Sequence, residues 1–159
     1  MGRLDGGLSQ LLRGDGHGHF TPVPPAESGL VVPGDAKALA VLDLTGDGRP
    51  GFIVSRNSAS TLAFVSQATG GAHSLCVRLK GPAGNPTGIG ARVTAAYADG
   101  SARTAEVYAG SGSMSQSSPA CFFGFTGSNT LRAVTVHWPS GAVSASPVPA
   151  GATHLVISP

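Results

Sequence analysis

The chain has 159 residues, with 24 glycines, 12 prolines, 11% charged residues and a formal net charge of +2. That length supports one or two domains with a real core. The small net charge gives no argument for nucleic acid or an anionic membrane as partner, and no apolar run is long enough for a membrane-spanning helix. Abundant Gly and Pro with few charges favour short strands joined by tight turns over helices.

Residues 1–35 are turn-rich, with Pro22, Pro24, Pro25 and Pro33. The start, Met1-Gly2-Arg3-Leu4-Asp5-Gly6-Gly7, lacks the apolar core of a signal peptide. A chain beginning this way is expected to be a fragment of a longer protein or a truncated reading frame. Arg13-Gly14-Asp15 and His17-Gly18-His19 read as turn chemistry and exposed bystanders rather than an adhesion tripeptide or a metal site.

Residues 36–67 predict a strand–loop–strand–turn–strand unit. Lys37 to Leu42 and Gly51 to Ser55 are the first two strands, and Asn57-Ser58-Ala59-Ser60 is the second turn. Residues 68–73 read as a linker. Beyond it, Leu75, Val77 and Leu79 alternate with Cys76, Arg78 and Lys80, so one face is buried and one wet. Val93 to Tyr97 and Ala102 to Tyr108 flank Asp99-Gly100, a strong hairpin turn. Leu131 to Trp138 is another alternating strand; Pro139-Ser140-Gly141 turns it into Ala142 to Ala145, and Thr153 to Ser158 is the last strand. The fold class is all-β, an antiparallel sandwich or barrel after residue 70. Cys76 and Cys121 are compatible with one disulfide or with two thiols.

The connection Asp43-Leu44-Thr45-Gly46-Asp47-Gly48 places oxygen side chains at every second position and ends in a turn glycine. A curled loop of this kind points alternate residues inward and can present oxygens to a hard cation such as Ca²⁺. Asp43, Thr45 and Asp47 are the candidate ligands, with the Arg49 backbone carbonyl as a fourth. An EF-hand is excluded, because its bidentate twelfth-position Glu falls on Val54. The competing reading is a polar hairpin turn that needs no metal.

Residues 36–67 resemble an FG-GAP/VCBS-type repeat, the blade unit of integrin-like β-propellers, whose loop runs D-x-[DN]-x-D-G-x-x-D. Asp43, Asp47 and Gly48 match; Thr45 and Gly51 stand where the family carries ligands. Leu12 to Phe20 is similar to the turn and Phe closing a preceding repeat. With two carboxylates left, the resemblance implies weak calcium binding. Residues 75–158 resemble an ASPIC/UnbV domain, the module that follows such repeats. The blocks that carry this likeness are Leu79-Lys80-Gly81, Asn85, Gly88 to Val93, Ser111-Gly112 through Ser115-Gln116-Ser117, Phe123-Gly124-Phe125, and Val136 to Gly141. The two resemblances imply a partial propeller-type repeat over residues 1–70 and an ASPIC/UnbV-like antiparallel β-sandwich over residues 71–159, in an extracellular or cell-surface setting.

Ser111 to Ser118 is rich in hydroxyls but lacks the G-x-S-x-G elbow of a nucleophile, and its hydroxyls are expected to satisfy backbone groups. Gly88-Ile89-Gly90-Ala91 fails as a dinucleotide fingerprint and reads as close backbone packing. The expected function is a non-catalytic extracellular binding or structural module whose partner is an extracellular protein or glycan, or the missing repeats of a longer chain. The alternative is a glycan-binding module using Trp138, Tyr108 and Ser115, although Trp138 beside a Pro turn also reads as packing.

Overall fold

The computed structural model describes residues 7–67 and 69–159. Residues 1–6 of the segment read for a signal peptide, and the linker position Ala68, lie outside the described residues. Among the described residues, twelve strands and one short helix follow in chain order: β1 (Leu11–Gly14), β2 (Phe20–Val23), α1 (Pro25–Ser28), β3 (Ala36–Leu42), β4 (Gly51–Arg56), β5 (Ala59–Phe64), β6 (Ala72–Leu79), β7 (Arg92–Tyr97), β8 (Ala102–Glu106), β9 (Ala120–Thr126), β10 (Leu131–His137), β11 (Val143–Pro147) and β12 (His154–Ile157). The chain is all-β, as its composition predicts.

Seven strands make the sandwich. One sheet has the order β11-β10-β7-β8 and the other β12-β6-β9. Among the described residues, its core draws on residues 75–157. Leu75, Val77 and Leu79 enter it from β6, Val93, Ala95 and Tyr97 from β7, and Cys121 and Phe123 from β9. The two-residue period of the sequence becomes the inner face of each sheet. Tyr97 ties the layers together, because its hydroxyl donates to the Gly124 carbonyl of the opposite sheet at 2.9 Å. The Asp99-Gly100 hairpin forms as predicted, with Asp99 Oδ1 accepting from Ser101 N at 2.8 Å.

Four features were not in the sequence reading. β12 runs parallel to β6, pairing His154 with Cys76 and Ile157 with Leu79, so the sandwich is not wholly antiparallel. β11 and β12 lie on edges of different sheets, and the link between them crosses from one layer to the other. β10 does not alternate strictly. A register shift between Leu131 and Ala133 inserts one residue, and this bulge lets Leu131, Val134 and Val136 all face the core. β1 and β2 form an antiparallel hairpin inside the segment read as turns.

The register also decides the cysteines. Cys76 pairs with Phe122, and Cys121 pairs with Val77. Adjacent residues of a strand point to opposite faces, so Cys121 enters the core while Cys76 lies on the outer face of its sheet. Both are free thiols. Burial pushes the Cys121 thiol up to about 11, with Cys76 adding to the shift.

Before residue 70, β3, β4 and β5 form a three-stranded antiparallel sheet. Its edge at β3 is not left open. Ser118 N donates to the Val41 carbonyl at 2.9 Å, and Val41 N donates to Ser117 Oγ at 3.1 Å. The hydroxyl-rich loop therefore satisfies backbone groups of a strand far away in sequence. Ser117 N in turn donates to Ser111 Oγ at 2.8 Å. The serine loop thus supplies hydrogen-bond partners to the edge strand β3 at Val41.

Because the core of the sandwich is built from residues 75–157, a fragment of residues 72–159 is expected to unfold in one cooperative thermal transition. Loss of that transition would show that residues 7–67 are needed to complete the fold. Within it, Leu75→Ala should cost about 2–5 kcal/mol in urea unfolding, because Leu75 is fully buried between the sheets.

Candidate functional site

The Asp43 loop joins β3 to β4 and folds around one carboxylate. Asp43 Oδ1 accepts from Gly46 N at 2.8 Å and from Asp47 N at 3.2 Å. Oδ2 accepts from Gly48 N at 3.0 Å. It also lies 2.8 Å from His154 Nε2 at the start of β12. The Asp43 side chain is only 1% exposed, against 38% for His154. A buried carboxylate is tolerated where its lone pairs are filled, and here four N–H groups fill them.

Gly48 makes the contact with the sandwich possible. Its φ is +81°, and a Cβ there would collide with the Thr153 carbonyl. A side chain at this position would be strained by the backbone and blocked by the neighbour. Gly48 thus lets the loop tip lie against Thr153 and His154. Gly51, where the calcium pattern has its last Asp, is a close approach of a different kind. A Cβ there would stand 2.8 Å from Leu44 Cδ1 and 2.9 Å from the Phe64 carbonyl. An Asp at this position would disrupt the β4–β5 pairing before it could offer an oxygen.

Parity brings a second group to the same spot. His154 pairs with Cys76 across the parallel β12–β6 ladder, so both stand on the outer face of the sheet, where Asp43 docks. Among the described residues, one donor atom each from Asp43, Cys76 and His154 lie within 4.8 Å of one another. Sequence reasoning missed this cluster. Its members are far apart in the chain, at positions 43, 76 and 154, and no local motif links them. Cys76 is fully buried; burial raises its pKa, and the nearby Asp43 charge adds to the rise, against the lowering by Arg78.

The remaining candidates are dispersed. Thr45 and Asp47 are exposed on the loop, and Asp47 Oδ1 accepts from Arg49 N at 3.0 Å. Trp138 is 5% exposed and packs in the core. Its Nε1 donates to Ser144 Oγ at 3.0 Å, and that hydroxyl donates to the Ser158 carbonyl. Its ring faces are covered, as the packing reading expects, so they offer no stacking platform. Tyr108 is 57% exposed. Ser115 Oγ is buried without a hydrogen-bond partner and lines a cavity with Val32, Leu39 and Val54.

Burial pushes the Asp43 carboxyl up, but the hydrogen bonds from His154, Gly48, Gly46 and Asp47 outweigh it, so the net pKa lies below its ordinary value. A depressed folded-state pKa adds stability above the unfolded value, and that stability is lost as pH falls through the folded value. Asp43→Asn, which keeps the shape and turns part of the acceptor into a donor, should cost about 1–2 kcal/mol in urea unfolding at neutral pH. The gap between variant and wild type should close in acid, below the ordinary carboxylate range. An equal gap at both pH values would mean that the carboxylate charge plays no part in the docking.

No curated protein matches this sequence. A family model matches from Gly81 onward and leaves residues 36–67 uncovered. β6 also precedes the matched span, although Leu75, Val77 and Leu79 complete the sandwich core. The matching model is described as ASPIC and UnbV, and residues 81–159 of the chain carry this ASPIC/UnbV domain.

Proposed function

We propose that the chain is a non-catalytic binding or structural module of extracellular or cell-surface setting, in which an FG-GAP/VCBS-type segment is fixed to an ASPIC/UnbV sandwich. The observation that carries this reading is the engagement of Asp43. Its carboxylate, the first position of the loop, is turned toward His154 of the sandwich at 2.8 Å. With Gly48 against Thr153 and β3 capped by Ser117 and Ser118, the loop acts as a joint between the two halves. A rigid pair of β units suits a scaffold that presents a surface to a partner protein or glycan.

Weak calcium binding belongs to the same proposal. Asp43 already takes four N–H donors, which leaves the exposed Thr45 and Asp47 side chains and the Arg49 carbonyl as the oxygens to face an ion. So small a ligand charge places the affinity on the order of 10⁻⁴ to 10⁻³ M. The glycan reading keeps one favourable observation, the exposed ring of Tyr108.

Hydrogen exchange tests the joint. Amides of β3 should exchange nearly as slowly as those of β6 in the wild-type monomer, and faster in Asp43→Asn. Unchanged exchange in the variant would remove Asp43 from the joint. Calorimetry at millimolar Ca²⁺ should show a weak heat that Asp47→Ala abolishes; no heat in the wild type would reduce the loop to a turn. A glycan array separates the two function classes. Binding that disappears in Tyr108→Ala would favour the glycan module over the protein-facing scaffold.

A further inference from the structure

We propose that Asp43, Cys76 and His154 bind a thiophilic divalent cation of the zinc class, clipping the β3–β4 loop to the sandwich. The three donor atoms, a carboxylate oxygen, a thiol sulfur and an imidazole nitrogen, lie within 4.8 Å of one another. Ligands of a tetrahedral zinc centre stand about 3.3–3.8 Å apart, as bond lengths of 2.0–2.3 Å require. At its widest the observed cluster is thus about an ångström looser than a closed site, whereas the Asp43–His154 contact, at 2.8 Å, is tighter than one and has to open. His154 is the most exposed of the three and sits at the first position of its strand, where it can turn to close the gap.

The donor set selects the metal. Calcium takes hard oxygen ligands, whereas thiolate and imidazole suit zinc, cobalt and copper. The groups around the donors match what such a site needs. Metal-bound histidines are held by a hydrogen bond at the other ring nitrogen, and His154 Nδ1 lies 3.0 Å from Thr153 Oγ1. Ligating carboxylates are themselves hydrogen-bonded, and Asp43 accepts from Gly46, Asp47 and Gly48. A water would supply the fourth ligand of such a site.

The protons balance. On binding, the Cys76 thiol releases one proton to solvent. Neutral His154 coordinates through Nε2, and its proton then resides on Nδ1, where Thr153 Oγ1 accepts it. Asp43 is already ionised. No oxidation or reduction takes place.

The test uses the full chain, reduced and stripped of metal with a chelator, then titrated with Co²⁺. We expect one Co²⁺ per chain, with a near-ultraviolet thiolate-to-cobalt charge-transfer band. That band should vanish in Cys76→Ser and persist in Cys121→Ser. His154→Gln should weaken binding by about a hundredfold or more, beyond the loss typical of an outer-shell partner. Zn²⁺ in roughly tenfold excess should raise the thermal midpoint of the wild type and leave His154→Gln unmoved. Should Cys76→Ser fail to fold, X-ray absorption of the zinc-loaded wild type gives the answer, through one sulfur in the first coordination sphere. A spectrum with no sulfur ligand, a band retained in Cys76→Ser, or no binding by the wild type would each overturn the site. The cluster would then be a hydrogen-bonded Asp–His contact beside a buried thiol.

Discussion

A carboxylate that is 99% hidden from water has to be surrounded by donors, and in this protein that requirement shapes the junction between the two halves. Asp43 meets it with three loop amides and one imidazole. The amides come from its own turn and would be available to any Asp at the start of such a loop. The imidazole comes from the far end of the chain, 111 residues away. Burial of the charge is therefore possible only when β12 is in place. Gly48 follows from the same constraint, because the loop can reach His154 only by passing against the Thr153 carbonyl.

The sandwich itself rests on the parity of its strands. A period of two sends Leu75, Val77 and Leu79 inward and leaves Cys76 outside. The same parity on the parallel neighbour puts His154 beside Cys76. One register thus separates the two cysteines and assembles a mixed donor cluster on the outer face. A slip of one residue in β12 would turn His154 into the core and expose Leu155 and Ile157. The apolar face of β12 therefore enforces the position of the polar group that receives the Asp43 loop.

What was legible in the sequence was local. The alternation at Leu75–Leu79, the Asp99-Gly100 hairpin, the turn after Trp138 and the strands either side of the Asp43 loop could all be read, because hydrophobic period and turn chemistry reside within a few residues. That hydroxyls of Ser111–Ser118 satisfy backbone groups was legible from residue type, but their partner Val41 on β3, 76 residues from Ser117, was not. The β1–β2 hairpin was not. Its residues are almost all exposed, so no apolar period marks them among the prolines. The parallel pairing of β12 and the bulge in β10 were also hidden. Both depend on which strand lies alongside, a matter of tertiary neighbours rather than of local pattern.

The Asp43 loop shows how the same limit bears on function. Alternate oxygens at Asp43, Thr45 and Asp47 describe a cation loop as long as the loop is considered alone. In the folded chain its first carboxylate lies 2.8 Å from His154 Nε2 and clusters with the Cys76 thiol. Residue type at the loop is unchanged, but the partners are soft where the motif assumed hard ones. The chemistry available to Asp43 is therefore set by β6 and β12. A loop motif carries its usual meaning only where the surface it docks against supplies ligands of the same kind.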